Sequence, residues 1–424
     1  MAQDSGRRLL RYAHVVGWGM AVPERVLSND DLAGFVDTSD EWIRTRTGIR
    51  ERRMAGERES TATLGLRAAQ AALDVADVQP QDLNLIIVAT STPDYVFPST
   101  ASLIQDWIGA TNAGAFDLSA ACTGFVYAME MAAQCIRAGS VDVALVIGAE
   151  TMTRVLDWSD RNTCVLFGDG AGAVVLRASD QPGGVLATVL GSDGSGADLL
   201  AMPNGARPLD EMAGAPNRAH KLNMDGRSVF RFASRIIGAS VTAALQKAGL
   251  TLDDVSLIVP HQANTRILEA AARNLKMPME RFFSNLDRYG NTSAASIPIA
   301  LYEAVTQGRI HPKDKIVLVG FGGGLTWGAM AIEWPEAMPP EVSRLSRHRR
   351  YFTYRLARWR SRIMRLWRLI QAVLLGSPIP APELEEGEPR LQLPRLAWPR
   401  LRGREEPPQL EAGAPPEPSE EPDD

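Results

Sequence analysis

The feature that most limits the fold of this chain is an internal repeat. Residues 71–89, AALDVADVQPQDLNLIIVA, align without a gap on residues 243–261, AALQKAGLTLDDVSLIVPH, at an offset of 172 positions. The same offset carries VDVALVIGAE (141–150) onto KDKIVLVGFG (313–322). A spacing that stays constant over this distance indicates two copies of one unit, not a solenoid array. The repeat predicts two α/β halves related by a pseudo-twofold axis, whose matching loop ends meet near that axis.

The body of the chain, up to about residue 335, alternates β-branched runs with alanine-rich helical patterns, which is typical of an α/β fold. Four near-continuous apolar runs predict buried strands, at 84–93, 141–150, 255–262 and 315–324. We divide the chain into an N-terminal half (1–180), a C-terminal half (181–335), a basic helical extension (336–377) and a Pro/Glu-rich tail (378–424).

Composition narrows the class of protein. With 45% hydrophobic and 22% charged residues the chain has an ordinary globular composition, and its net charge of −5 argues against nucleic acid as a partner. Three cysteines without a CxxC pair predict neither a disulfide scaffold nor a metal site. The N-terminus lacks a secretory apolar segment, and no run is long enough to span a bilayer. We therefore predict a cytoplasmic protein.

The charge of the extension differs from that of the chain as a whole. Residues 343–377 contain ten arginines and no acidic residue. Its apolar side chains recur at a spacing of four and three, which predicts one stripe on a helix: Phe352, Leu356, Trp359, Ile363, Leu366, Ile370 and Val373. Three interpretations remain open: peripheral contact with an anionic membrane, docking on an acidic protein, or a helix packed on the body or without an ordered role. The proline-rich tail predicts disorder.

The segment DLSAACTGF (117–125) places Cys122 between a predicted strand and a helix. A thiol at a helix N-terminus faces unpaired N–H groups and the positive end of the dipole, which favour the thiolate. Cys122 is therefore a candidate nucleophile, and a buried structural cysteine is the alternative. Cys135 and Cys164 lie in apolar helical and strand-like contexts that predict packing roles.

Two polar residues are candidate partners for Cys122. His261, in VPHQAN, follows a predicted buried strand, and Asn291, in GNTSAAS, is the repeat equivalent of Ser119. Taken singly, His261 fits a structural hydrogen-bonding role and Asn291 fits a helix N-cap. The pseudo-symmetry instead predicts that both side chains meet Cys122 at the axis.

A glycine cluster, GFGGGLTWG (320–328), follows the last predicted strand. Glycines there would allow a backbone N–H to point at a developing oxyanion, and a tight hairpin turn is the alternative. FGDGAGA (167–173) lacks the signature of a phosphate loop and of a dinucleotide site, so we interpret it as a turn that feeds a strand near the site.

Together SAACTGF, PHQAN, GNTSAAS and FGGGLTWG resemble the β-ketoacyl-acyl-carrier-protein synthase III family, as does VDTSDEWIRTRTGIRERR (36–53). The resemblance covers about residues 10–335. It implies a thiolase-like fold of layers α-β-α-β-α and an acyltransferase without cofactor or metal. The implied reaction is a decarboxylative Claisen condensation of an acyl-CoA with malonyl-acyl-carrier protein, which initiates fatty-acid biosynthesis.

The resemblance also implies roles for residues. Cys122 would carry the acyl group, the N–H groups of Cys122 and Gly323 would hold the first oxyanion, and His261 and Asn291 would hold the enolate. The remaining implied roles are contacts with CoA adenine and phosphates (Trp42, Arg46 and Arg161), lining of the pantetheine channel and its mouth (Asn264 and Arg266), and closure of the acyl pocket from the partner of a homodimer (Phe97).

A phenylalanine at that last position implies short starters, acetyl-CoA first, with branched or longer starters as the open alternative. Two whole-chain alternatives stay open. One is a condensing enzyme or acyltransferase of secondary metabolism that has the same fold and takes another acceptor. The other is a non-catalytic scaffold, which predicts loss of Cys122, His261 or Asn291; all three are present.

Overall fold

The structure is a computed structural model that describes residues 10–203, 220–336 and 343–374. Its strands are β1 (Tyr12–Ala21), β2 (Val26–Ser28), β3 (Glu51–Arg53), β4 (Leu85–Ala89), β5 (Gly114–Leu118), β6 (Val143–Thr151), β7 (Asp169–Ser179), β8 (Gly184–Ser192), β9 (Leu200–Ala201), β10 (Asn223–Met224), β11 (Val255–Pro260), β12 (Lys315–Gly322) and β13 (Thr326–Glu333). Its α-helices are α1 (Asn29–Ala33), α2 (Asp40–Thr47), α3 (Thr61–Ala76), α4 (Thr100–Ile108), α5 (Gly124–Ala138), α6 (Gly226–Ala248), α7 (Thr265–Leu275), α8 (Leu286–Tyr289), α9 (Ser296–Thr306) and α10 (Arg344–Leu374). All four predicted buried strands are present, as β4, β6, β11 and β12.

Two sheets form the body. The first has the strand order β1-β7-β6-β4-β5, with β4 parallel to both β5 and β6. The second has the order β11-β12-β13-β8, with β11 parallel to β12. The offset of 172 carries β4 onto β11 and β6 onto β12, so the two sheets repeat the same parallel core. The predicted duplication is confirmed.

Helices occupy three layers around these sheets. Buried side chains of α5 and α9 pack between the sheets in one core that includes Phe125, Met129 and Ile297. A second core joins α3 and α4 to the first sheet, and a third joins α6 and α7 to the second sheet. Strands that are buried on both faces need apolar side chains at successive positions, which explains the continuous runs in the sequence. The predicted α-β-α-β-α layering is confirmed.

The pseudo-symmetry extends to the backbone next to the predicted site. A short 3-10 turn precedes each central helix, Ala121–Thr123 before α5 and Ser293–Ala295 before α9. Ala121 has a φ of 46° and Ser293 a φ of 49°, and these two residues are 172 positions apart. Non-glycine residues rarely adopt a left-handed conformation, so the duplication has preserved an unusual turn in both halves.

Residues 343–366 pack on the N-terminal half. The Arg350 guanidinium is buried, with Nε 2.8 Å from the Asp74 carboxylate and Nη1 on that of Asp77. Tyr354 is buried in the core of α3 and α4, and Ser361 Oγ donates to Asp106 at 2.7 Å. Packing of the extension on the body, one of three open interpretations, is therefore confirmed for these residues.

The predicted apolar stripe does not make that contact. Phe352, Leu356 and Trp359 are 67%, 50% and 62% exposed, because the helix docks through its opposite face. Among the described residues, the chain up to Leu366 forms one compact unit and residues 367–374 fall outside it. The predicted boundaries at 180/181, 335/336 and 377/378 remain predictions. The predicted disordered tail and the side chain of Val373 lie outside the described residues. No described helix combines the length and the hydropathy needed to cross a bilayer.

Candidate active site

A cavity of about 530 Å³ lies where the two halves meet. Cys122, His261 and Asn291, three candidates from distant parts of the chain, all line it. The other lining residues used below are Trp42, Arg46, Phe167, Asn264, Phe321 and Gly322. The prediction that these three side chains meet between the halves is confirmed.

Cys122 occupies the 3-10 turn between β5 and α5. Its side chain is buried, and Sγ lies 3.6 Å from the Ser293 hydroxyl of the other half. The pKa of the Cys122 thiol is raised to about 12, mainly by burial and to a smaller extent by the negative charge of Glu150. The lowered pKa expected at a helix N-terminus is therefore not found at this site, because burial raises the pKa of the thiol.

His261 follows the last residue of β11, with its backbone N–H bonded to the Val319 carbonyl of β12 at 2.8 Å. Its ring is 1% exposed and meets Phe321 edge-on. Nδ1 lies 2.6 Å from Ser296 Oγ. Burial lowers the pKa of His261 to about 3, so the ring is neutral at physiological pH.

Asn291 lies in the loop before the second 3-10 turn. Its backbone N–H donates to the Leu166 carbonyl at 2.8 Å, and its own carbonyl accepts from Gly168 N–H at 3.0 Å. Asn291 Oδ1 accepts from Ser293 N–H at 2.9 Å. Because a backbone N–H identifies the oxygen of the amide, Nδ2 remains as the hydrogen-bond donor available to the cavity.

A buried carboxylate lies beside this group. Glu150, at the end of β6, is fully buried and accepts hydrogen bonds from Thr92 Oγ1 at 2.5 Å and Ser91 N–H at 3.0 Å. Burial raises its pKa despite these bonds. Glu150 therefore links the loop after β4 to the end of β6 by hydrogen bonds. Its charge also acts on Cys122 in the Ala121–Thr123 turn.

The glycine cluster forms the hairpin between β12 and β13, as the alternative interpretation predicted, and it also abuts Cys122. A Cβ at Gly322 would lie 3.0 Å from both the Cβ and the backbone nitrogen of Cys122. A Cβ at Gly323 would lie 2.9 Å from the Leu200 carbonyl. Glycine is required here for close approach. The oxyanion role of the Gly323 N–H stays a prediction.

The predicted CoA contacts cluster at the exposed end of the cavity. Arg46 stacks over Trp42 at 4.5 Å, and Arg161 lies 5.5 Å from the same ring while its Nη1 bonds the Asp37 carboxylate at 3.0 Å. Asn264 Nδ2 donates to the Arg46 carbonyl at 3.1 Å, and Arg266 Nη2 donates to the Thr45 carbonyl at 2.9 Å. Cations around an aromatic face suit an adenine ring and its phosphates.

Four predicted site residues do not line this cavity: Phe97, Arg161, Arg266 and Gly323. Arg266 lines a neighbouring cavity together with Arg46 and Asn264, whereas Phe97 faces solvent in the single chain. Phe97 is 85% exposed, next to Val96 at 86%. Its pocket-closing role was implied for a partner subunit, so it stays a prediction.

Sequence reasoning missed the residues that support the three candidates. Ser293 contacts the cysteine and Ser296 contacts the histidine, and both lie within the GNTSAASIP segment that drew attention for Asn291 alone. The two hydroxyls that flank Ala294 and Ala295 in the sequence were the available signal. Glu150 had no such signal, because its strand runs as an ordinary apolar sequence. FGDGAGA does feed β7 beside the site, as predicted, with Phe167 in the cavity wall.

Comparison with known proteins agrees with this geometry. Residues 116–194 match the family model for 3-oxoacyl-[acyl-carrier-protein (ACP)] synthase III, and residues 245–334 match that for its C-terminal part. The chain is 53% identical over 327 residues to the beta-ketoacyl-[acyl-carrier-protein] synthase III of Roseiflexus sp. (strain RS-1), covering 77% of this chain and 99% of the relative.

Solved structures give the same result. The 3-oxoacyl-[acyl-carrier-protein] synthase III from Aquifex aeolicus VF5 superposes with a TM-score of 0.71 at 46% identity, over 76% of this chain and all of that one. The priming beta-ketosynthase from the R1128 polyketide biosynthetic pathway gives 0.73 at 38% identity, over 78% of this chain and 98% of that one. The chain belongs to the β-ketoacyl-[acyl-carrier-protein] synthase III family of thiolase-like condensing enzymes.

Proposed function

We propose that this enzyme initiates fatty-acid synthesis by joining a short acyl-CoA, acetyl-CoA first, to malonyl-acyl-carrier protein through an acyl group carried on Cys122. The observation that carries the proposal is the convergence of Cys122, His261 and Asn291 on one buried cavity. A thiol beside two neutral hydrogen-bond donors suits thioester exchange followed by formation of an enolate.

In the first step, Cys122 Sγ attacks the acyl-CoA thioester. The new C–S bond replaces the bond to CoA, and the proton lost by the thiol goes to the departing CoA sulfur. Because burial holds Cys122 as a thiol, its deprotonation accompanies attack. The backbone N–H groups of Cys122 and Gly323 are the proposed donors to the tetrahedral oxyanion.

In the second step, the malonyl carboxylate leaves as CO₂ and its C–C electron pair forms an enolate. His261 Nε2–H and Asn291 Nδ2–H are the proposed donors to the enolate oxygen. The Ser296 hydroxyl supports this assignment, because its contact with Nδ1 suits a proton on Nε2. The enolate carbon then attacks the acyl carbon, and the C–S bond to Cys122 breaks with its electron pair on the sulfur. The thiolate takes a proton from water to restore the thiol, and the 3-oxoacyl product remains on the carrier protein.

The proposed substrates need no cofactor, and the described residues contain no group of three or more His, Cys, Asp or Glu side chains arranged to hold a metal ion. Trp42, Arg46 and Arg161 are the proposed CoA contacts, and Asn264 and Arg266 the proposed lining of the pantetheine channel. The proposed location is the cytoplasm.

We propose a homodimer as the working form. The exposed apolar side chains Val96 and Phe97, and Phe116 on the sheet-edge strand β5, support this assembly. An unpaired strand edge beside apolar side chains is a surface that a second copy would cover. Phe97 would then reach the partner's acyl pocket. Light scattering on the purified chain would measure the assembly, and a monomer at micromolar concentration would contradict it.

The decisive assay combines radiolabelled acyl-CoA with malonyl-carrier protein and follows acyl-enzyme, CO₂ and product separately. We expect Cys122→Ala to lose acylation and condensation, and His261→Ala or Asn291→Ala to lose CO₂ release while some acylation remains. Full condensation by Cys122→Ala would refute the mechanism.

A second candidate function is priming of a polyketide pathway, favoured by the 38% identity to the R1128 priming ketosynthase. A panel of acyl-CoA starters and alternative carrier proteins separates the two functions. Preference for a carrier protein other than that of fatty-acid synthesis would favour the second.

A further inference from the structure

Helix α10 presents two different faces along residues 343–366. One face carries the buried side chains Arg350 and Tyr354 and rests on α3 and α4. The opposite face carries a line of exposed apolar side chains, here called the outer stripe: Phe352, Leu356, Trp359, Ile363 and Leu366. At 100° per residue these five side chains lie within one narrow sector directly opposite Arg350.

Arginines border the outer stripe on both sides. Arg355 and Arg362 project from one flank and Arg349 and Arg360 from the other, and all four are exposed. No acidic residue occurs between 343 and 374. The result is an apolar line about 21 Å long, at 1.5 Å per residue, between two rows of positive charge.

We infer that the outer stripe binds the interfacial region of a bilayer that contains anionic lipids. The packing of α10 on the body orients the stripe outward, so the helix would lie flat on the surface with its aromatic and aliphatic side chains among the acyl chains. Arginines on both flanks would contact phosphate groups. The inference concerns a surface separate from the reaction and does not rest on the proposed function.

The charge of α10 favours an anionic bilayer over a second copy of the chain or a carrier protein as the partner of the outer stripe. A second copy of α10 would set two arginine rows against each other with no acidic partner within the stripe's borders, which is unfavourable. An acidic carrier protein would be drawn to arginines, yet the exposed end of the catalytic cavity is formed by Trp42, Arg46 and Asn264, and no residue of α10 lines that cavity. Docking of a carrier protein on α10 would therefore not deliver its substrate.

Cosedimentation of the full chain with vesicles tests the inference. We expect binding to mixed phosphatidylcholine/phosphatidylglycerol vesicles, weakening with added salt, and little binding to pure phosphatidylcholine. Arg355→Gln with Arg362→Gln should lower the partition coefficient on the order of 30-fold, because each basic residue near an anionic surface contributes about 1 kcal/mol. Trp359→Ser should lower it about 10-fold.

Matched variants control for charge and stability. Arg235→Gln with Arg273→Gln removes the same two charges from exposed positions on α6 and α7, and should leave the partition coefficient within about twofold. Condensing activity and melting temperature should stay unchanged in both arginine pairs. An equal fall of the partition coefficient in the two pairs of variants would show that net charge alone drives binding and would overturn the inference.

Two further outcomes would show that something other than a bilayer covers the outer stripe, and either would overturn the inference. If the full chain binds neither vesicle type but a variant ending at residue 377 binds anionic vesicles, the acidic tail covers the stripe in the intact protein. If Trp359→Ser abolishes a concentration-dependent self-association measured without lipid, a second copy covers it.

Discussion

Ser296 Oγ lies 2.6 Å from Nδ1 of His261, and both side chains are buried. The hydroxyl is the one polar side chain in hydrogen-bond contact with this ring among the described residues. Which nitrogen of a neutral imidazole carries the proton is decided by the bond that the other nitrogen makes. When the serine hydroxyl donates to Nδ1, the ring proton lies on Nε2, which can then act as a donor.

Replacement of Ser296 by alanine should remove this control of the tautomer. We expect malonyl-carrier-protein decarboxylation to fall by about 10- to 100-fold, as for other groups that orient a reacting histidine, while acylation of Cys122 is largely kept. Ser240→Ala, a buried serine of α6 whose Oγ has no hydrogen-bond partner, is the matched control. Equal losses of acylation and decarboxylation in Ser296→Ala would indicate a structural role only.

Asn291→Asp should distinguish the role of the Asn291 side-chain oxygen from that of its Nδ2 donor. An aspartate keeps an oxygen to accept from Ser293 N–H, so the turn is retained. It replaces the Nδ2 donor with negative charge, which repels an enolate. Decarboxylation should fall by about 10²- to 10³-fold, the cost of losing one oxyanion donor. Stopped-flow release of CO₂ measures the effect, and activity near that of the wild type would exclude the donor role.

The pH dependence of decarboxylation should show no step near pH 6.5, where an ordinary histidine titrates. Burial lowers the pKa of His261 to about 3, so the folded protein keeps the ring neutral as pH falls from 8 to about 5. Acylation should behave differently and accelerate with rising pH, because the Cys122 pKa is raised to about 12. A decarboxylation rate that halves near pH 6.5 would contradict the first expectation.

Gly322→Ala should damage acylation specifically. The added Cβ would lie 3.0 Å from Cys122 Cβ and 3.3 Å from Sγ, so the nucleophile must shift. Misplacement of a reacting group by about 1 Å costs on the order of 100-fold. Gly194→Ala, where nothing lies within 4 Å of the new Cβ, is the control and should acylate normally. The measurement is the rate of label transfer from acyl-CoA to protein.

Arg350→Met should loosen α10 without affecting catalysis. It removes the ion pairs to Asp74 and Asp77, whose carboxylates are partly exposed, so we expect a loss of about 1–2 kcal/mol in helix docking. Hydrogen exchange over residues 344–366 should accelerate about 5- to 30-fold. Unchanged protection with unchanged activity would show that the remaining contacts, among them those of Tyr354 and Ser361, hold the helix without Arg350.

The packing of α10 on the body through Asp77 should depend on pH. Ser346 and Arg350 lower the pKa of Asp77, so its stabilisation is present above the unfolded pKa of about 3.9 and is lost as pH falls through the lower folded value. Acid should therefore release α10 in the wild type more than in Arg350→Met.

Several elements followed directly from the order of residues. The repeat predicted two sheets around shared central helices, because a duplicated apolar pattern can be buried only in equivalent places. It also predicted that Cys122, His261 and Asn291 would meet, because loop ends related by a twofold axis converge on it. The glycine cluster after the last predicted strand gave a tight hairpin turn as one of two alternatives, and that hairpin is present between β12 and β13.

Two conclusions from the sequence depended on surroundings that it did not describe. The acidity of Cys122 is a balance between a helix terminus and burial, and burial is a property of the packed halves. The amphipathic pattern of the extension predicted a helix with one apolar stripe. It did not predict that the polar face would dock, because the docking partners Asp74, Asp77 and Asp106 lie more than 240 residues away.

The sequence by itself thus determined the duplicated architecture, the family and the three residues that converge on the cavity, because periodic burial and a constant offset are written in residue order. The tertiary structure alone decided the protonation of those residues, the hydroxyls that orient them and the outward direction of the stripe on α10. Desolvation, tautomer choice and docking depend on which atoms from distant segments become neighbours, and only the folded chain brings them together.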